Sequence, residues 1–287
     1  MDKNTECRAG ATEGALVCPI CGKSLEFDNS RRYCEAGHSF DIAKEKYTNL
    51  LLSNKSKLSI HGDNRDMVAA RDNFLSSGAY FRLCDEICDE LRRVTLGKDD
   101  AIALDAGCGE CSYTASMAKS VSHMYAFDVS KDAVRRGAKK CKASGADNVE
   151  LFVASAFDIP MRDSSVDAVV SIFAPLAEAE FSRVLKSDGS LIRVVPGRRH
   201  LFGLKKLMYD NPYENSDDER VGDAFELVSE RKMDYILTLD RPDLIRDLIK
   251  MTPYFYRTSP SDRARAENAE RIETEVSFRV LTYSKKI

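Results

Sequence analysis

Apolar residues along this chain recur with two different periods. From about residue 65, the stretch "NRDMVAARDNFLSSGAYFRLCDEICDELRRV" spaces Met67, Ala70 and Phe74, then Leu83, Ile87 and Leu91, three or four apart. That spacing puts each set on one face of a helix. Gly78 falls between the sets and is expected to separate two helices. After residue 100 the pattern changes. "AIALDAG", "MYAFDVS", "VELFVASA", "VDAVVSIFA" and "GSLIRVVPG" read as five short strands. Helical patterns lie between them at 112–120, 131–143 and 177–186. Strand and helix in alternation predict an α/β fold, a doubly wound parallel sheet with crossover helices. "RIETEVSFRVLTYSKK" adds strand character with no helix behind it. Residues 214–230, with Glu214, Asp217, Asp218, Glu219, Asp223, Glu226 and Glu230, are expected to form a solvated helix or loop. No internal repeat is present.

Composition narrows the class. With 287 residues, of which 43% are apolar, the chain has room for one large domain and a small module. No apolar run reaches the roughly 18–20 residues of a membrane helix. The opening "MDKNTECRAGATEGA" lacks the apolar core of a signal peptide, so a soluble, cytoplasmic protein is expected. Nine scattered cysteines without an export signal favour metal binding or packing over a disulfide framework. A net charge of −3 excludes a molecule that is basic all over; any nucleic-acid contact must be local.

Two Cys-x-x-Cys pairs then have to be told apart. The first lies in "CPICGKSLEFDNSRRYCEAGH", which reads Cys18-x2-Cys21-x12-Cys34-x3-His38. Thiolate and imidazole suit zinc, and two tight pairs on a loop of this length can close on one ion. Gly22 and Gly37 stand beside ligands, where the chain must turn tightly. A module of about 40 residues has too little core to hold itself, and a metal supplies the staple. With four protein ligands, the site is expected to be structural.

The second pair, Cys108 and Cys111, has no matching pair nearby. It follows a strand and opens a helix, the place of the cofactor turn in a Rossmann-like sheet. A thioredoxin-type redox pair is the alternative. The frame Gly107-Cys108-Gly109-Glu110-Cys111-Ser112 lacks the third glycine of G-x-G-x-x-G, while Asp105 two residues before Gly107 fits D-x-G-x-G better. Asp128 ends the second strand, 19 residues after Gly109, where a carboxylate can accept from both ribose hydroxyls. These features favour S-adenosylmethionine, with NAD as the alternative.

At this point the chain resembles the RlmA-type methyltransferases of large-subunit (23S) ribosomal RNA, which methylate guanine N1. The likeness is carried by "CPIC", "YCEAGHSFDIAKEKYTNLL", "AARDNFLSSGAY", "LDAGCGECSYT", "FDVSKDAV", "IFAP" and "PGRRHL", from Cys18 to at least Phe255. The resemblance implies a class I (Rossmann-like) methyltransferase with a small N-terminal zinc-binding module on Cys18, Cys21, Cys34 and His38. It implies cofactor contacts at Tyr80, Tyr113, Thr114 and His200, beside Asp105, Gly107, Gly109 and Asp128 read from the turn itself. It also implies a homodimer that forms a cleft for an rRNA hairpin. Family members usually carry glycine where Cys111 and Lys46 stand. The implied organisation is a flexible extension (1–17), a zinc-binding RNA-recognition module (18–60), a helical linker (61–98) and a methyltransferase domain (99–287).

Guanine N1 carries a proton that must leave before or during attack. Asp158, Asp163 and Glu178 are candidate bases near strand ends, each also readable as a solvated acid. Phe173 in "FAP" stands where a base would stack, or in the core. "RVVPGRRHLFGLKK" holds Arg193, Arg198, Arg199, Lys205 and Lys206 with no acid. The zinc module adds Arg31, Arg32, Lys44, Lys46, Lys55 and Lys57, with Tyr33, Phe40 and Tyr47 as stacking candidates. The cluster of Arg135, Arg136, Lys139, Lys140 and Lys142 reads as a solvated helix face. The leading expectation is an S-adenosylmethionine-dependent rRNA guanine-N1 methyltransferase. A small-molecule methyltransferase with an accessory zinc module and a non-enzymatic RNA-binding protein on the same fold are the alternatives.

Overall fold

The computed structural model describes residues 14–52, 62–216 and 221–286. The chain first forms a small antiparallel sheet of β1 (Glu26–Phe27), β2 (Arg31–Tyr33) and β3 (Ser39–Asp41). Strand β4 (Tyr47–Asn49) follows. Helix α1 (Arg65–Ser76) starts where the Asn64 side chain accepts from the amides of Asp66 and Met67, two donors that the first turn leaves orphaned. It buries Val68, Ala70 and Phe74, and Met67 is half-buried. Gly78, at φ +83°, breaks the chain before α2 (Phe81–Val94), which buries Leu83, Ile87 and Leu91.

The alternation expected after residue 100 follows. Strand β5 (Ile102–Ala106) leads to α3 (Thr114–Met117) and a 3-10 turn over 118–120. Then come β6 (His123–Asp128), α4 (Lys131–Ala143), β7 (Val149–Val153), β8 (Val166–Ile172), α5 (Glu178–Val184) and β9 (Leu185–Pro196). The rest is α6 (Phe202–Met208), β10 (Phe225–Leu239), α7 (Pro242–Lys250), α8 (Tyr254–Arg257), α9 (Pro260–Glu267) and β11 (Ile272–Lys285).

One eight-stranded sheet, in the order β10-β11-β9-β8-β5-β6-β7-β4, organises the molecule. Strands β4 to β9 run parallel; β11 pairs antiparallel with both β9 and β10. From β5 the chain winds outward through β6 and β7, then crosses back to lay β8 on the other side of β5. That reversal opens a crevice at the carboxyl ends of β5 and β8, the usual ligand site of such sheets. Each sheet face is buried: one under α2, α6 and α7 with Ala103, Val170 and Ile192, the other with Leu104, Phe127, Val169 and Leu191 under α5.

Three expectations change. Residues 1–13 lie outside the described residues, but Ala15 and Leu16, expected in a flexible extension, are buried. Leu16 bridges Met161, and the Ala15 amide donates to the Tyr125 hydroxyl at 3.1 Å, so the sheet captures this segment. Second, the small module is not free-standing. Leu16, Leu25, Cys34 and Leu50 join the same core as Phe152 and Met161, and β4 pairs parallel with β7. Third, part of the acidic run 214–230, expected as a solvated helix or loop, is strand. Residues 217–220 lie outside the described residues, while 225–230 begin β10, an edge strand that pairs with β11 alone and leaves most of its side chains exposed or half-buried. Among the described residues no helix is long and apolar enough to cross a membrane.

Candidate active site and metal centre

The metal centre is built on two turns. Gly22 (φ +73°) and Gly37 (φ +85°) adopt left-handed backbone, and their amides donate to Cys18 and Cys34 carbonyls at 2.8 and 2.9 Å. The turns bring the donor atoms of Cys18, Cys21, Cys34 and His38 within 4.8 Å of one another. His38 Nδ1 lies 3.5 Å from Cys18 Sγ and 3.4 Å from Cys34 Sγ, and Cys21 Sγ lies 3.7 Å from Cys34 Sγ. A zinc tetrahedron with bonds of about 2.3 Å to sulfur and about 2.0 Å to nitrogen has S–S edges of about 3.8 Å and S–N edges of about 3.5 Å. The donor set therefore fits zinc in both chemistry and edge length. Four protein ligands leave no open position, so the ion would be structural. Among the described residues this is the one such cluster.

A cavity of about 600 Å³ opens at the crevice between β5 and β8. Its floor is the turn after β5. The amides of Gly107 and Cys108 both donate to the Phe127 carbonyl at 2.9 Å, which curls the turn against β6. Gly107 has φ +83°, and a Cβ there would meet Ala174 Cβ at 2.8 Å. Asp128 locks the turn from the neighbouring strand: one carboxylate oxygen accepts from the Gly109 amide at 3.1 Å, the other from Ser130 at 2.8 Å. Burial raises Asp128 above the usual carboxylate range, against the pull of those two amides. Asp105 is raised further, to about 7, by burial, with the Thr114 hydroxyl opposing and the nearby Asp128 and Glu110 charges adding.

Most predicted cofactor residues meet here. Tyr80, Asp105, Gly107, Gly109, Tyr113, Asp128 and His200 all line the cavity. Thr114 is the exception. It is fully buried behind Asp105 and donates its hydroxyl to that carboxylate at 2.6 Å, so it orients a cavity residue rather than facing the cavity itself. The Tyr80 and Tyr113 hydroxyls and one Glu110 oxygen are buried with no protein partner. Such atoms are costly unless a ligand satisfies them. The Tyr80 ring is fixed edge-on between Phe74 (5.1 Å) and Phe278 (4.9 Å). His200 Nδ1 accepts the Ser277 amide at 3.3 Å. Burial, with the Lys205 charge nearby, lowers His200 to about 3, so the ring is neutral and its proton sits on Nε2. A glycine-floored, largely apolar cavity with orphaned hydroxyls and a strand-end carboxylate fits S-adenosylmethionine.

Other cavity residues escaped the sequence reading. Asp63 pairs with Arg71, and Arg71 Nη2 donates to the Met251 carbonyl at 3.2 Å. Asn64 reaches the Tyr256 hydroxyl at 2.6 Å. These contacts join α1 and its cap to residues 251–256, of which 251–254 roof the cavity from far along the chain. Arg71 stands inside "AARDNFLSSGAY"; nothing local marked 251–254.

The second cysteine pair is neither metal centre nor reactive dithiol. Cys108 and Cys111 have sulfurs 3.7 Å apart, both buried. Burial pushes the Cys108 thiol up to about 12, and the Cys108 contact together with burial raises Cys111 well above the usual thiol range, so neither is a ready thiolate. Cys111 has φ +63° and Lys46 φ +70°. The two positions where the family carries glycine are thus both left-handed, which explains the glycine there.

The predicted RNA contacts divide. Lys44 and Lys46 are exposed on the small module. Arg198 is exposed and pairs with Glu214; Arg199 pairs with Glu214 at 3.3 Å and Glu275 at 2.6 Å. Lys205 corrects the prediction. It is fully buried, donating to the Tyr213 carbonyl at 3.0 Å and Asn215 Oδ1 at 2.7 Å, because its position on α6 faces the 209–216 loop. Tyr47 is buried too and cannot stack on RNA, while Arg32 is held by Glu150 at 2.7 Å. Lys55 and Lys57 lie outside the described residues. In the α4 cluster, Arg136 and Lys140 are not merely solvated: both pair with Asp72 of α1. None of the three candidate bases lines the cavity. Asp163 pairs with Arg183 at 2.8 Å, Glu178 accepts the Gly222 and Ala224 amides at 2.9 Å each, and the Asp158 amide donates to Ser155 at 3.1 Å. Phe173, at the end of β8, is 45% exposed and does line the cavity, which favours its substrate-facing reading over the core.

Comparison with known proteins adds the following. Residues 16–57 match the family model described as "RlmA, N-terminal", and residues 103–189 the model described as "Methyltransferase domain". A 23S rRNA (guanine(748)-N(1))-methyltransferase of Streptomyces fradiae is 31% identical over 259 residues, covering 87% of this chain and 89% of its own. A demethylmenaquinone methyltransferase of Geobacillus stearothermophilus is 30% identical over 131 residues, 42% of this chain and 56% of its own. Among solved structures, a SAM dependent methyltransferase from Aquifex aeolicus is 26% identical with a TM-score of 0.36, covering 40% of this chain and 64% of that one.

Proposed function

The chain belongs to the RlmA-type family of 23S rRNA (guanine-N1)-methyltransferases, and from that membership we propose that it methylates N1 of a guanine in a hairpin of large-subunit rRNA. One observation carries the reading. The Cys18–Cys21–Cys34–His38 cluster sits on a small module whose last strand, β4, pairs with β7 of the sheet that carries the glycine-floored cavity.

When bound, S-adenosylmethionine supplies a methyl group already activated on a sulfonium. The chain's task is then to align the acceptor and exclude water. Gly107 and Gly109 would let the backbone approach the cofactor closely, and Asp128 would accept from its ribose hydroxyls. Tyr80 and Tyr113 offer buried hydroxyls, and His200 offers an Nε2–H that stays a donor throughout the neutral range. Thr114 keeps Asp105 oriented. Phe173 presents a ring face to the incoming base. Lys44, Lys46, Arg198 and Arg199 contact the RNA backbone, and two copies form the cleft that holds the hairpin.

The test is transfer of tritiated methyl from S-adenosylmethionine to undermodified 23S rRNA hairpins, with primer extension to locate the modified base. A reverse-transcription stop at one guanine is expected. Transfer to a small quinone-like acceptor with none to RNA would overturn the reading, and failure to bind the cofactor would show an RNA-binding protein without this activity.

A further inference from the structure

The methyl acceptor raises a problem that the cavity solves in an unexpected way. Guanine N1 must lose its proton, yet the carboxylates lining the cavity, Asp63, Asp105, Glu110 and Asp128, belong to the glycine turn and its roof. At the ends of β8 and β9, beside Phe173 and Pro175, the charged group among the described lining residues is Arg193.

Arg193 is 5% exposed. It lies on β9 between Leu191 and Val195 on the same face, with Leu281 of β11 and Ser171 of β8 as its cross-strand neighbours. Val169, Leu191, Val195 and Leu281 are all core residues. A guanidinium in such a row costs free energy that an apolar side chain would not. Its place at the cavity, next to an exposed aromatic ring on a left-handed residue (Phe173, φ +54°), gives that cost a use.

We propose that Arg193 is the guanine-reading residue of this active site and the group that makes N1 reactive. This rests on the guanine-N1 reading above. An arginine fork matches guanine O6 and N7 with two parallel hydrogen bonds, and it meets the adenine amino group donor to donor. Held by that edge, the base keeps N1 free toward the methyl group. The charge beside O6 also stabilises the anion left when the N1 proton departs to solvent as the base enters, before the seated base excludes water. The N–H electron pair stays on the base, shared between N1 and O6. N1 then forms the new bond to the methyl carbon as the carbon–sulfur bond breaks with its pair onto sulfur. No carboxylate base is needed; a fixed cation lowers the acidity barrier instead.

Single-turnover methylation of the active hairpin across pH tests this with three proteins and two substrates. For the wild type a rate nearly flat around neutrality is expected. Arg193→Met should slow transfer roughly 10- to 100-fold, the range of a bidentate base contact, and its residual rate should climb steadily with pH. Arg193→Lys should restore part of the flat profile, since charge returns without the fork. Replacing the target guanine by 7-deazaguanine removes one partner of the fork; it should slow the wild type and leave Arg193→Met no slower. Cofactor affinity and zinc content, measured on each variant, report folding and should hold near wild type. Arg193→Met with wild-type rate and profile would overturn the proposal, as would a rate loss matched by equal loss of cofactor affinity. If that variant does not fold, a wild type indifferent to 7-deazaguanine overturns it alone. A wild type inactive on every guanine hairpin defeats the functional reading itself, whereas an active wild type with an indifferent Arg193→Met defeats only this assignment.

Discussion

Gly137 and Cys111 should behave as a single packing unit. A Cβ built on Gly137, in the middle of α4, would sit 2.4 Å from Cys111 Sγ and 3.1 Å from its Cβ. Carbon-sized atoms rest at about 3.5–4.0 Å, so the thiol would have to move by about 1 Å. It has nowhere to go: Cys111 is fully buried and Cys108 Sγ stands 3.7 Å away. Gly137→Ala alone therefore combines an overpacking cost of about 1–3 kcal/mol with the helix gain of alanine over glycine, about 1 kcal/mol. A net loss of up to about 2 kcal/mol is expected. Cys111→Gly alone loses a buried thiol but relieves a left-handed residue that costs about 1–2 kcal/mol, and the two nearly cancel. In that background Gly137→Ala meets only the Glu110 carbonyl carbon, at 3.3 Å, and should become neutral or stabilising. The coupling energy is then about 1–3 kcal/mol, the overpacking cost itself, read from urea midpoints of the four proteins with unchanged slope. If Gly137→Ala costs the same in both backgrounds, within about 0.5 kcal/mol, the packing argument is wrong.

Cofactor affinity should depend on pH through Asp105, whose carboxyl, raised to about 7 against about 3.9 in the unfolded chain, is largely protonated in the free protein at pH 6. A cationic ligand prefers the anion, so calorimetric titration should show binding tighten by about tenfold from pH 6 to pH 8. His200, lowered to about 3, stays neutral across that window and adds no slope, and Asp105→Asn should flatten the curve. For stability the same shift has the opposite sense. Between the unfolded value and about 7 the folded protein holds the extra proton, so Asp105 makes stability fall as pH rises, which chemical melts of the apoprotein at pH 5 and 7 can read against Asp105→Asn. Removal of zinc by a chelator, or Cys34→Ala, should loosen the small module and lower the urea midpoint, because Cys34 and Leu25 share the main core; unchanged stability of a metal-free protein would contradict that shared core. Lys205→Met should destabilise by about 1–3 kcal/mol by stranding the Tyr213 carbonyl and Asn215 amide, with the salt slope of RNA binding unmoved. Arg198→Ala should instead reduce that slope by about 1 at little cost in stability.

Local signals carried much of the architecture. Short apolar runs and a glycine turn marked β5 to β9, and the Cys/His spacing marked a set of donors that meet in space. What escaped was decided by distant partners. Lys205 belongs to a basic run in sequence, but α6 turns it inward onto the 209–216 loop. Tyr47 reads as an exposed aromatic until β4 joins β7. Strand β10 hides because it is an edge with few buried side chains, its apolar residues interrupted by charged ones. The cavity roof at 251–254 is written in no motif; it exists because Arg71 and Asn64 reach across the fold to it. Thr114 illustrates a finer limit: residue type and place were read, but not that its hydroxyl would be spent on Asp105.

The pairing of β4 with β7 has a consequence for how a target would be chosen. A metal-bearing head on a loose tether could swing to find its hairpin and let the cavity search nearby bases. Here the head shares hydrogen bonds with the plate that carries the cavity, and Leu16 and Met161 lock it from a second side. The two behave as the fixed jaws of a caliper. On the function proposed above, an RNA gripped at one jaw would present to the other whichever nucleotide lies at the set span, and choice among neighbouring guanines would become a measurement of length. Adding or removing one base pair between the gripped segment and the target should move the mark along the hairpin, without any change in the protein.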